Sequence, residues 1–233
     1  MWARLLFAAL AAATLTVPAE AHRAGRPAVA PALRDWTQTA VRTPEGGFRI
    51  GNPNAPVKVI EFLSLTCPGC AAFAHEGSAP LFSQYVRGGN VSVEYRNYYL
   101  NGLDIAAALL SRCAAPRAYF DLTHALLASQ RQWMGRMSSL TPAQRTELGA
   151  LQPIQLVQRL VSLLGLDAIG ARHGITPAIR QQCLTQANLD RLQALHDSSA
   201  ALGVHSTPTF FINGRLADHV HGWAALEPLL RGR

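Results

Sequence analysis

Apolar and polar positions change their period several times along this chain, and each change marks a different kind of element. The run VKVIEFLSL, Val57 to Leu65, is almost continuously apolar and rich in β-branched residues, the pattern of a strand buried on both faces of a sheet. From Cys67 to about Val86 the pattern turns helical, with Gly77 and Pro80 expected to kink or divide that helix. The turn formers Arg87, Gly88, Gly89 and Asn90 lead into VSVEYRNYY, whose valines and tyrosines predict a second strand. A strand, a helix and a strand in this order imply a parallel βαβ unit, because two parallel strands need a long crossover. Ahead of it, TAVRTPEGGFRIGNPNAP offers two short strand-like pieces, Thr39 to Arg42 and Phe48 to Gly51, as a small hairpin.

From Asp104 to about Ala187 alanine and leucine dominate, strand signals vanish, and Pro116, Pro142, Pro153 and Pro177 punctuate several helices. This predicts an all-helical insertion. In NLDRLQALHDSSAAL, Asn188 suits an N-cap, and Leu189, Leu192, Leu195 and Leu202 form the stripe of an amphipathic helix returning to the sheet. In TFFINGRLADHV, Asn213-Gly214 between two β-like runs is a strong hairpin signal, and a last helix follows from Trp223 to Leu230. The expected organisation is a first α/β half over residues 35–103, a helical insertion over 104–187 and a second half over 188–233.

The N-terminal MWARLLFAALAAATLTVPAEA has an early Arg4, an apolar stretch from Leu5 to Val17 and the small-x-small pattern Ala19-Glu20-Ala21, which reads as a signal peptide over residues 1–21. The Ala- and Pro-rich HRAGRPAVAPAL beyond it predicts an extended, flexible lead-in to about residue 34. The signal changes the picture of the rest, since an exported chain meets an oxidising compartment where disulfides persist. An apolar fraction of 49% suits a globular core, and no later segment is long and apolar enough to span a bilayer. The formal charge of +7 comes from scattered arginines with no basic run interleaved with aromatics, so it argues for solubility and weak attraction to anionic surfaces and against nucleic acid.

Four cysteines are present. Cys67 and Cys70 are so close in sequence that they meet in most geometries, which leaves Cys113 and Cys183 as a second pair, either a structural disulfide or two buried thiols. If the helix begins beside Cys67, that residue is the N-cap and Pro68 takes the first helical position, where its missing N–H costs nothing. The unpaired N–H groups and the positive helix end then favour thiolate over thiol at Cys67. A stabilised thiolate leaves readily and makes the disulfide oxidising, with Cys70 as the resolving thiol. A zinc site competes for this motif but needs two more ligands, for which His219, His221 and His75 are the candidates; a plain structural disulfide would close too short a loop to constrain the chain. His75, His124, His173, His196 and His205 are expected at the surface or at caps, with His205 the one that stands near Pro208 in sequence and in one reading approaches the thiolate.

A strand, then CPGC at a helix start, and far downstream Ser-Thr-Pro-Thr before another strand together resemble the thioredoxin superfamily. The helical insertion, GNPNAPVKVIEF before the motif and GVHSTPTFFINGR after it resemble the DsbA-like thiol:disulfide oxidoreductases of the bacterial periplasm, from about Asp35 to the C-terminus. The resemblance implies a thioredoxin fold, a central mixed β-sheet flanked by helices, interrupted by the helical insertion domain. Residue by residue it implies that Cys67 attacks and Cys70 resolves, and that Pro208, preceded by Thr207, forms a cis-proline loop facing the disulfide and pairing with a substrate backbone.

Glu61 stands six positions before Cys67, where thioredoxin-like proteins have a buried acid. Burying a carboxylate without a partner is costly, so it should hold its proton and exchange it with Cys70; edge exposure or pairing with Lys58 are the alternatives. One departure is Pro-Gly between the cysteines, where the best-known DsbA proteins have Pro-His. Without that imidazole, a weaker oxidant is expected. The expected function is introduction of disulfides into reduced exported proteins, with no metal or organic cofactor and with a DsbB-type membrane protein as reoxidant; an isomerase or reductase, or a metal-binding or chaperone module on the same fold, are the rivals.

Overall fold

The computed structural model describes residues 34–231, so the signal and most of the lead-in expected upstream lie outside the described residues. Six strands form one sheet: β1 (Ala40–Arg42), β2 (Phe48–Gly51), β3 (Val57–Leu63), β4 (Val91–Asn97), β5 (Thr209–Ile212) and β6 (Arg215–Leu216), in the order β1-β2-β4-β3-β5-β6. Strands β3 and β4 are parallel and every other neighbouring pair is antiparallel. The apolar run around Val57 thus lies inside the sheet, as a strand buried on both faces must.

Register places the chemistry. Glu61 lies opposite Tyr95 on one side and Phe210 on the other, and Phe62 lies opposite Thr209. Residues paired in register share a face. Pro208, one residue before β5, therefore arrives beside the end of β3 from which the chain runs on to Cys67.

The crossover between β3 and β4 holds α1 (Pro68–Pro80), which passes directly into a π-helical segment, Leu81–Val86. The division expected at Pro80 takes this form, because a proline cannot donate to the helical ladder and a wider turn absorbs the loss. On α1, Phe73 packs against Phe210, with ring centroids 4.8 Å apart, while Phe48 stacks on Tyr119 at 3.7 Å. Both contacts lie in the buried core.

Between β4 and β5 run the helices of the insertion: α2 (Gly102–Ser111), α3 (Pro116–Ala128), α4 (Gln130–Gly135), α5 (Pro142–Gly149), α6 (Pro153–Leu163), α7 (Leu166–Arg172) and α8 (Pro177–Cys183), followed by α9 (Gln186–Ala200). The four prolines read as punctuation each occupy the first turn of a helix, where fixed φ is an advantage. Two details of α9 depart from expectation. Thr185 is its cap, accepting from the Asn188 backbone N–H, while the Asn188 side chain instead donates to Cys183 O at 2.8 Å. Leu192 is buried, but Leu202 falls past the helix end and is 48% exposed, because the helix stops at Ala200 before the stripe is complete. In the β5–β6 turn Asn213 and Gly214 both have positive φ, the geometry that an Asn-Gly hairpin favours. The chain closes with α10 (Trp223–Arg231).

Cys113, just past α2, is joined to Cys183 at the end of α8. The bridge spans a sequence separation of 70 and fastens the start of the insertion to its end. Replacing both residues by serine should lower unfolding free energy by up to about 4 kcal/mol, on the chain-entropy model for a loop of this length. Urea unfolding of the double variant with the Cys67–Cys70 pair kept reduced checks this, and an unchanged midpoint would contradict it.

Candidate functional site

Cys67 is the N-cap of α1, with extended backbone, and Pro68 is the first helical residue. Both thiols at 67 and 70 are free. Both cysteines are buried, but Cys67 keeps 7% exposure while Cys70 has none, so Cys70 lies behind Cys67. Cys67 Sγ donates to Thr207 O at 3.2 Å, and the Thr207–Pro208 peptide bond is cis. The Thr207 hydroxyl is buried with no hydrogen-bond partner, which leaves it available to a sulfur anion.

Gly69 accounts physically for the Pro-Gly dipeptide. A Cβ there would stand 3.2 Å from Pro208 Cδ and 3.6 Å from Cys67 Sγ, a tight fit between the helix start and the proline loop. The bare glycine lets the two approach.

The environment separates the two sulfurs electrostatically. A hydrogen bond from Cys70, then one from Thr207 and those from the Cys70 and Gly69 N–H groups, pull the Cys67 thiol down to about 5 against the opposing effect of burial. Burial pushes Cys70 well above the ordinary thiol range, helped by its bond to Cys67 and by the Glu61 charge. Cys70 Sγ accepts from the Ser64 N–H at 3.5 Å. At neutral pH the outer sulfur is an anion and the inner one a thiol.

Glu61 is 2% exposed on β3, and burial first, then the Cys67 charge, raise its carboxyl to about 8. Lys58, an odd number of residues earlier and so on the other face of the strand, is exposed. The carboxyl is therefore protonated when Cys67 is charged at neutral pH, so these two groups do not carry negative charge together.

The loop between β3 and α1 is held by residues of the insertion that the sequence reading passed over. Asp104 on α2, 1% exposed, accepts from Leu65 N–H at 2.9 Å, Leu100 N–H at 3.0 Å, Thr66 Oγ1 at 3.2 Å and the Ser64 hydroxyl. Gln130, the first residue of α4, sends its Nε2 to Leu65 O at 2.8 Å and Cys67 O at 3.0 Å. The signal for Asp104 was an acid standing before IAAALL behind a capping asparagine, Asn101, whose side chain accepts from the Asp104 N–H at 3.0 Å. Nothing in the sequence singled out Gln130.

Histidines take other places. His205 is exposed. His124, expected at the surface, is instead turned inward: its Nε2 lies 3.0 Å from the Tyr95 hydroxyl, and burial lowers its pKa to about 4. Among the described residues no three His, Cys, Asp or Glu side chains gather as a metal cluster, so His75, His219 and His221 do not join the cysteines.

A reactive thiolate at a helix start, a buried resolving thiol and a cis-prolyl loop on one mixed sheet define a protein of the thiol–disulfide exchange class. The family model described as Thioredoxin matches residues 43–231, and the chain belongs to that family in its DsbA-like branch of thiol:disulfide oxidoreductases. A solved structure named protein-disulfide isomerase, from Novosphingobium aromaticivorans, is 31% identical, with 78% of this chain and 94% of that one covered and a TM-score of 0.71. The Wolbachia pipientis alpha-DsbA1 structure shares the fold at 21% identity, with 84% and 94% covered and a TM-score of 0.61. A Rickettsia conorii protein provisionally named a protein-disulfide oxidoreductase is 24% identical over 85% of this chain. This chain spans 67% of that relative's length and 58% of its Rickettsia prowazekii counterpart's.

Two opposite pH effects follow. The depressed Cys67 pKa stabilises the reduced protein most above its unfolded value of 9.0, a gain lost as pH falls through about 5. The raised Glu61 pKa acts in the other sense, its favourable part present below 4.5 and lost as pH rises through about 8. Ultraviolet thiolate titration should give a Cys67 midpoint near 5 that Glu61→Gln leaves in place, since the acid is still protonated there. The same variant should steepen the rise in stability of the reduced protein between about pH 5 and 8, because it removes the opposing titration of Glu61. A Cys67 midpoint in the ordinary thiol range would contradict this electrostatic reading.

Proposed function

We propose that this chain is an exported, periplasmic oxidant that gives its Cys67–Cys70 disulfide to reduced protein substrates. The observation that carries the proposal is the asymmetry of the two thiols, with Cys67 capping α1 against the cis Thr207–Pro208 loop and Cys70 fully buried behind it, an arrangement that lowers the pKa of the first thiol and raises that of the second. A leaving group that is stable as an anion makes release of the oxidised substrate favourable and the reduced enzyme the preferred end state.

The cycle balances on two electrons. A substrate thiolate attacks Cys67 Sγ and forms a mixed disulfide, while the Cys67–Cys70 bond breaks and Cys70 departs as a thiolate, an anion that burial disfavours. Glu61, protonated at neutral pH, supplies its proton and later recovers one. A second substrate thiolate then attacks the substrate sulfur of the mixed disulfide and releases Cys67 as the stabilised thiolate. The substrate loses two electrons and the enzyme cysteines gain them. In the reverse direction Cys67 attacks a substrate disulfide, and Cys70 then attacks Cys67 Sγ of the mixed disulfide, which re-forms the Cys67–Cys70 bond and expels the substrate sulfur as a thiolate.

Thr207 and Pro208 take the role of the substrate-facing rim in this reading. Their segment lies against the Cys67 sulfur, and a peptide laid along it would put its own cysteine in line for attack. A membrane protein of the DsbB type would accept the electrons and restore the disulfide. The cycle itself calls on no metal or organic cofactor.

The test offers a reduced, unfolded multi-disulfide protein such as ribonuclease to the oxidised enzyme. Rapid stoichiometric oxidation is expected, abolished by Cys67→Ser. Cys70→Ala, which cannot form the active disulfide, should accumulate a mixed disulfide on gels when offered disulfide-containing scrambled ribonuclease, because its Cys67 thiolate attacks a substrate disulfide and no resolving thiol follows. An enzyme that rearranges scrambled ribonuclease but oxidises the reduced protein poorly would overturn the oxidant reading in favour of the isomerase.

A further inference from the structure

Three arginines meet at a cavity that the exchange chemistry does not use. The cavity has a volume of about 300 Å³ and is lined by Arg42 at the end of β1, Arg112 at the C-cap of α2 and Arg191 on α9, with Thr43, Asn188 and Cys183 beside them. Arg112 is 9% exposed. Its guanidinium donates to Asn97 Oδ1 at 3.2 Å and to Gly46 O at 2.9 Å, and Arg42 donates to the Arg112 carbonyl. Both guanidinia also lie near the Phe48 ring, at 4.6 and 5.4 Å from its centroid.

What is missing is negative charge. None of the three arginines forms an ion pair with a carboxylate among the described residues. Glu94, which reaches the neighbouring Thr43 hydroxyl at 2.9 Å, is already paired with Arg96 at 2.7 Å. Burial first holds Arg42 and Arg112 below the usual arginine range, Tyr119 partly opposes this, and the charge of Arg191 adds to the lowering of both. Like charges brought together without a counterion repel, most strongly where one of them is buried, as Arg112 is while Arg42 and Arg191 are exposed.

We propose that this cavity binds a phosphate dianion, either free or as the end of a phosphomonoester. Guanidinium forks match the oxygen geometry of a phosphoryl group, and a dianion offsets more of the triple positive charge than a single carboxylate does. The cavity has room for about ten waters, more than one tetrahedral anion displaces, so a phosphoryl group can enter with part of its ester attached. The bound anion joins the edge strand, the end of α2 and α9 at one point, next to the Cys113–Cys183 bridge. This assignment stands apart from the redox cycle, since none of the three arginines takes part in it.

The test follows thermal unfolding of the full chain in inorganic phosphate against sodium chloride at matched ionic strength. A saturable rise in Tm of a few degrees is expected, because a ligand of the folded state stabilises it by mass action. Arg191→Gln and Arg42→Gln should each remove the rise while retaining ribonuclease oxidation, which also reports that they are folded. Flotation with phosphatidylcholine vesicles, with and without phosphatidic acid, separates the sources. A response to free phosphate assigns a soluble ligand, and binding to phosphatidic acid alone, lost in both variants, assigns a lipid headgroup. No specific effect of either probe, or an effect that both variants keep, would overturn the proposal.

Discussion

A negative charge on Cys67 must be held where little water reaches it, and much of the surrounding architecture follows from that requirement. The charge sits at the start of α1 and draws on hydrogen bonds from Cys70, Thr207 and the first-turn N–H groups. The donors come from two arms of the fold: Cys70 and the first-turn N–H groups from the helix that crosses between the parallel strands, and Thr207 from the loop that leads into β5. Sheet register brings the arms together, with Phe62 opposite Thr209 next to the strand end that carries the redox loop. A second full charge nearby would undo the arrangement. Burial answers that by keeping Glu61 protonated while the sulfur is ionised.

The helical insertion is part of this site as well as a cover for the sheet. Asp104 ties down the peptide that precedes Cys67, and Gln130 reaches the Cys67 carbonyl from another helix. Both side chains are buried, so each unmade bond would leave polar groups orphaned in the interior at about 1–3 kcal/mol apiece. The loop that aims the thiolate therefore belongs as much to the insertion as to the sheet.

Much of this was legible in the chain itself. A continuous apolar run named the central strand, and CPGC after it placed both sulfurs and the helix start. Asn213-Gly214 gave the last hairpin, because only a few residue pairs accept two positive φ values in succession. Other features depend on tertiary contacts that no local pattern encodes. Asn188 looks like a cap, yet Thr185 supplies the cap because the chain turns back at Cys183, where the disulfide and the Asn188 side chain both attach. His124 reads as a surface residue until Tyr95 from the neighbouring sheet comes within hydrogen-bond reach. Gln130 is one of many glutamines, and its role exists only once α4 lies over the redox loop.

The Cys67 value of about 5 lies between the figures of about 7 for thioredoxin and about 3.5 for DsbA, in keeping with a helix start that lacks an imidazole between its cysteines. In the proposed oxidant, a thiolate preference of this kind shifts the exchange equilibrium toward the reduced enzyme. The most direct measurement is the standard reduction potential of the Cys67–Cys70 pair, taken by equilibration with glutathione at pH 7. The account predicts a value between those of thioredoxin and DsbA, roughly −270 and −120 mV. A potential at or below that of thioredoxin would mean that the reduced form gains nothing from its thiolate, and would contradict it.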